Sequence, residues 1–281
     1  MTWRHSKPGR RPTPVVPRNR MLDANTGRAA PMGLLRSAAT FVPPAAILYV
    51  THYRLVPLFL ARTGQPYLVG YLVGWVPTMA LFLIAALVAY RLEGNPVGWR
   101  HVSQRYRLRK MDRADWLWAA IVLLVALGLY FGLSFTAVWL ARVPLLAPHP
   151  SFHPEFGPRP MEAHVPGKLM GMPLRGQWWV AVLFLMGWVL NILGEELWFR
   201  GYILPRQELA LGNAAWIANG IMFSLNHIWQ PWNLLVILPG AMVGAYVVQR
   251  RRNTWILILM HAISNASLVI LVGLNVVGIR L

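Results

Sequence analysis

Long apolar stretches alternate with short basic or proline-rich connections along this chain, and their lengths set the first expectation. Crossing a bilayer as a helix takes about 20 apolar residues. Runs of that kind lie at about 38–60, 67–90, 116–141, from 178 to beyond 200, at about 214–228, 232–248 and 254–278. The pattern predicts an all-α, polytopic membrane helix bundle with about seven transmembrane helices, within a range of six to eight. Pro43 and Pro44 interrupt the first run, which also holds His52 and Arg54. Both polar residues are expected to snorkel toward the interface.

The connections divide the chain. Residues 1–36 read as a basic cytoplasmic tail with little apolar content, and no short apolar core of a cleavable signal is visible in it. Residues 37–141 hold the N-terminal transmembrane helices. The segment 142–177 is rich in Pro and His and reads as an extracytoplasmic loop, and 178–281 returns to apolar spans. His149, His153 and His164 in the loop have no shared metal-ligand spacing and read as plain loop residues.

Composition agrees with this division and removes other classes. Of 281 residues, 56% are hydrophobic and 13% charged, whereas soluble domains carry about a quarter charged residues. With no cysteine, a disulfide scaffold, a Cys-ligated zinc site and a cysteine nucleophile are excluded. The formal charge of +18 would suggest nucleic acid in a soluble chain. Here it is distributed as the positive-inside rule requires. Twenty of the 27 Lys and Arg fall in the tail and in 91–115, 197–213 and 249–253, and six fall in the opposite set of connections. That bias predicts a cytoplasmic N-terminus and an external C-terminus. The bilayer, not nucleic acid, is the expected partner of the basic residues, and a bacterial inner (plasma) membrane is the expected location.

Three polar clusters break the apolar runs of the second half. Glu195-Glu196-Leu197-Trp198-Phe199-Arg200 puts two carboxylates beside an apolar stretch, where a charge costs about 2.5–3.5 kcal/mol at mid-bilayer. Glu196 and Arg200 are i and i+4, so they can pair on one helix face. Phe223 and His227 share a face in the next run, and His261 and Asn265 share one in the last. Counting outward from the Leu211-Gly212-Asn213 connection brings Glu196 and His227 to similar depth on antiparallel neighbours. A carboxylate, two imidazoles and an amide in one dry pocket are the parts of a hydrolytic site.

Glu-Glu-x-x-x-Arg, Phe-x-x-x-His and His-x-x-x-Asn, in that order on successive helices, resemble the motif set of the CAAX-protease and bacteriocin-processing (CPBP, or Abi) family. The resemblance covers about 178–275, and makes 178–281 a CPBP-like catalytic transmembrane core. It implies an intramembrane endopeptidase acting on a membrane-associated protein or peptide. It assigns Glu195 as the catalytic glutamate, activating water with His227, and assigns the oxyanion site to His261 and Asn265. Glu196 and Arg200 would hold the site in shape. No cofactor is implied. Zinc held by Glu195, His227 and His261 is a chemically possible alternative.

Other intramembrane protease chemistries find no support. There is no His-Glu-x-x-His, no Asp after Asp115, and Gly132-Leu133-Ser134 lacks the following Gly of a serine-nucleophile turn. Two non-protease readings stay open on the sequence. One is a membrane scaffold or immunity protein that keeps the polar cluster for folding. The other is a proton-coupled transporter using Glu195 and the histidines as a relay.

Overall fold

A computed structural model describes residues 29–279. The N-terminal segment 1–28, most of the expected basic tail, lies outside the described residues. The first helix, α1 (Leu34–Thr63), is interrupted by a π-helical segment at Thr51–Leu55. It is followed by α2 (Tyr67–Leu92), the short α3 (Trp99–Arg105) and α4 (Arg113–Leu140). After the 142–177 connection comes α5 (178–211), in which a π-helical segment at Glu196–Ile203 joins Trp178–Glu195 to Leu204–Leu211. The chain ends in α6 (Ala215–Asn226), α7 (Leu234–Arg251) and α8 (Trp255–Val276).

Six helical runs are long and apolar enough to cross a membrane. One of them, Trp178–Asn226, folds back at Gly212, whose φ of +56° would strain any residue with a side chain. The chain thus turns back inside one of the six runs. The expected fifth span falls short because α6 has only 12 residues, about 18 Å of helix. Leu124, Phe131, Phe135 and Leu185 point outward and are exposed, as lipid-facing side chains should be and as a water-facing surface would not tolerate.

Small residues set the closest helix contacts. α2 packs on α5, α6 on α7, and α7 and α8 on α4. A Cβ at Gly220 would lie 2.7 Å from the Met242 backbone, and one at Gly194 would lie 3.0 Å from the Met79 carbonyl oxygen. Gly194 thus brings α5 against α2 immediately before Glu195. Without a hydrophobic drive between helices in lipid, such close backbone approach is a main source of association.

The two sets of connections separate to opposite ends of the bundle. At the basic end, Glu93 accepts from Arg105 Nε at 2.6 Å and also pairs with Arg206. Arg107 grips Glu208 with two bonds of 2.6 and 2.8 Å. Asp115, fully buried, takes Arg251, Arg109 and Asn253 while closing a capping box with Asp112 at the start of α4. Burial pushes the Glu93 carboxyl up, but the two arginines outweigh it and hold it below the usual 4.5. The 91–115 connection is thus a folded, ion-paired cap, not only a positive loop.

At the other end, Phe152 packs on Trp232, Tyr53 and Trp229. A two-stranded hairpin (β1, Lys168–Leu169; β2, Met172–Pro173) leads into Gly176, whose N–H donates to Val276 O at 2.9 Å. His52 is here as well, and its position corrects the expectation of a snorkelling side chain. The π segment turns it inward, where its ring stacks on Trp229 at 4.0 Å and is buried. Hydropathy counts a polar residue in a run but does not say which face a π turn presents.

Candidate active site

α5 carries two carboxylates at the residue where its hydrogen-bond register changes. Glu195 ends the α-helical part and Glu196 opens the π-helical part. Single π turns are uncommon and gather at functional sites, because they re-aim side chains without breaking the helix. Adjacent helical residues point about 100° apart, so the two acids look into different surroundings.

Glu196 is 1% exposed. Its Oε1 accepts from Arg200 Nη1 at 3.4 Å and from His261 Nδ1 at 2.9 Å, while Oε2 is buried without a partner. Arg200 is 2% exposed, and its guanidinium carbon lies 3.6 Å from the centre of the Phe223 ring. The cation is therefore held between a carboxylate and an aromatic face. The expected i, i+4 contact is present, and the structure adds His261 to it.

Glu195 is 3% exposed. Among the described residues it accepts no hydrogen bond and makes no ion pair, yet its oxygens are not sealed into packed interior. It lies within electrostatic reach of Arg200, His227 and His261. His227 stands where α6 ends. Its Nδ1 is 3.0 Å from the Phe223 carbonyl oxygen, and a carbonyl only accepts, so Nδ1 carries the proton. Nε2 is then left with a lone pair in the neutral ring. Neither Nε2 of His227 nor Nε2 of His261 has a partner among the described residues, and neither is sealed off.

Asn265 departs from expectation. It lies one turn beyond His261 on the same face of α8, but it is exposed and has no hydrogen-bond partner among the described residues. With His261 half-buried, that face of α8 does not press wholly into the packed bundle interior. Five of the six expected residues gather around Glu196 and Phe223, and Asn265 stands outside that group at an exposed position. Glu195, His227 and His261 do not form a three-donor metal-holding group among the described residues.

Two further polar residues hold this arrangement. The Asn219 amide donates to the Phe199 carbonyl at 3.0 Å and to Gln207 Oε1 at 2.8 Å, tying α6 to the π segment and to the helical turn after it. Both residues are fully buried. Sequence reasoning passed over them, although an Asn four residues before Phe223 in an apolar run carries the same signal of cost that drew attention to Glu195.

Residues 177–267 match the family model described as type II CAAX prenyl endopeptidase Rce1-like. This segment is an Rce1-like domain of the CAAX protease family. The Rce1-like domain covers about a third of the chain and contains Glu195, Glu196, Arg200, His227, His261 and Asn265. It supports intramembrane endopeptidase activity in a multi-pass membrane protein, with a membrane-embedded protein as substrate. No curated protein and no solved structure matches the chain.

Proposed function

We propose that the Rce1-like domain hydrolyses a peptide bond of a membrane-associated protein or peptide by a glutamate mechanism. The observation that carries this reading is the state of Glu195. It is a buried carboxylate with no hydrogen-bond or ion-pair partner among the described residues, set beside a histidine whose Nε2 is free. The neighbouring acid, Glu196, already holds Arg200 and His261. A carboxyl group with no partner beside a free imidazole nitrogen is available to exchange a proton with water.

In the proposed step, Glu195 takes a proton from water, assisted by His227, and the water oxygen attacks the scissile carbonyl carbon. The carbonyl π electrons move to oxygen. His261 and Asn265 receive that oxyanion. His261 Nδ1 is committed to Glu196, so Nε2 is the ring atom left for substrate, and it donates when the ring carries its second proton. Collapse of the intermediate breaks the C–N bond, and the amine leaves with the proton returned by Glu195 or His227. Glu196 and Arg200 position His261 and do not react. No step is assigned to a metal. The exposed face at Asn265 is where an extended segment of substrate would enter. On the positive-inside rule the basic end faces the cytoplasm.

Incubating the purified protein with a library of membrane-embedded reporter peptides tests this directly. New amino termini identified by mass spectrometry are expected. An intact library, in conditions where the protein is folded, would favour a scaffold.

A further inference from the structure

Around the turn at His227 several buried polar atoms have no partner among the described residues, and the hydrolytic scheme uses none of them. Asn226, 1% exposed, has neither its amide nitrogen nor its oxygen paired. The indole N–H groups of Trp229 and Trp232 are buried without acceptors. Across from them, His52 is 2% exposed, and its Nδ1 donates to Leu48 O at 2.9 Å. Its Nε2 is therefore an acceptor, and it too has no partner.

The rings among these groups are neighbours. The His52 ring stacks on Trp229 at 4.0 Å, and Phe152 touches His52, Trp229 and Trp232 with ring centres 5.9–6.3 Å away. Asn226 adjoins His227 and lies three residues before Trp229. His52 is in the π segment of α1, the only π turn among the described residues besides the one at the active site. Donors and acceptors are both present: two indoles, one imidazole lone pair and a complete amide.

Buried polar groups in native proteins are almost always satisfied, by protein or by ordered water. A buried water makes about three hydrogen bonds to such groups. A peptide would need an open groove, which His52, Asn226 and Trp232 at 0–2% exposure do not provide; Trp229 is partly buried. We propose that Asn226, Trp229, Trp232 and His52 form an internal hydration site between the aromatic cap and His227. The role we give it rests on the proposed mechanism: it supplies the hydrolytic water from the side of the 142–177 connection. His52 is then a positioning residue for water, in a half of the chain that the family match does not reach.

X-ray radiolytic footprinting tests the site without any need for proteolysis, because radicals made from bound water oxidise the side chains beside it. Rates are normalised for intrinsic reactivity, in detergent-solubilised full-length protein. Trp232 should be oxidised at least about tenfold faster than Phe184, which is equally buried in apolar packing. Equal protection of Trp232 and Phe184 would overturn the site, whatever the protein's activity. His52→Phe keeps a ring for stacking and removes the acceptor. Trp229 oxidation should then fall by about threefold or more, and turnover should fall with KM unchanged. Unchanged oxidation in a folded His52→Phe protein would remove His52 from the site. Asn226→Leu repeats the test should that variant fail to fold. Loss of oxidation with turnover unchanged would overturn the water-supply role.

Discussion

Replacing Arg200 by alanine isolates the ionic core of the site. In the native protein Glu196 is balanced by Arg200 at 3.4 Å and shares Oε1 with His261. Removing the guanidinium leaves a carboxylate at 1% exposure with one neighbour and an oxygen already unpartnered. Breaking a buried pair from one side costs about 3–5 kcal/mol. The face of Phe223, 3.6 Å from the guanidinium carbon, adds up to about 2 kcal/mol in a desolvated setting. The remaining bond from His261 offsets part of this, so a net loss of about 3–5 kcal/mol is expected. At roughly 2–4 °C per kcal/mol for a chain of this size class, the melting temperature in detergent should fall by about 10 °C. The double variant Glu196→Gln with Arg200→Met should lose much less than Arg200→Ala alone, because no charge is stranded. Coupling between the two sites of about 1–3 kcal/mol is expected. A fall of no more than about 2 °C for Arg200→Ala, or strict additivity in the cycle, would refute the claim that Arg200 neutralises a buried Glu196.

Three further outcomes can be checked together. Asn265→Ala should lower turnover by about 10²–10³, the usual effect of losing one oxyanion donor. Because Asn265 is exposed and unpaired, the melting temperature should stay unchanged, and a large drop would make its role structural. Glu93 has a depressed carboxyl in the folded state, so it adds stability above the ordinary 4.5 and loses it as pH falls through the depressed value. Thermal melts from neutral to acid pH should therefore fall less steeply in Glu93→Gln, from a lower starting point at neutral pH. Parallel curves would contradict the assignment. Gly220→Leu should abolish folded protein, seen as lost monodispersity in size-exclusion chromatography, since even a Cβ there lies 2.7 Å from the Met242 backbone.

How much of this was legible in the sequence depends on the physical signal each feature leaves. Apolar run length is a strong signal, and it located every long helix within a few residues. The Glu196–Arg200 contact followed from i, i+4 spacing alone. The 178–226 stretch was legible at its turn, since Leu211-Gly212-Asn213 marks the connection and the run after it ends within two residues of the end of α6. His52 was misplaced. Its inward aim comes from a π segment, and the rings it meets, Trp229 and Phe152, are far away in sequence. The bond from His261 to Glu196 was equally hidden, because depth matching brings residues to one level without choosing which of two adjacent acids meets which histidine. Asn265 shows the reverse case: its face was correctly shared with His261, but exposure depends on what neighbouring helices leave uncovered.

Single-turnover cleavage of a membrane-embedded peptide by the Glu195→Gln variant tests the central claim most directly. Glutamine keeps the size of the side chain and cannot take a proton from water. With the variant's melting temperature matched to the parent, the cleavage step should fall by about 10³ or more while peptide binding stays within a fewfold. Parallel reactions with a chelator should leave the parent protein's rate unchanged. Full cleavage by a folded Glu195→Gln protein, or a parent activity abolished by chelation and restored by zinc, would contradict the glutamate mechanism.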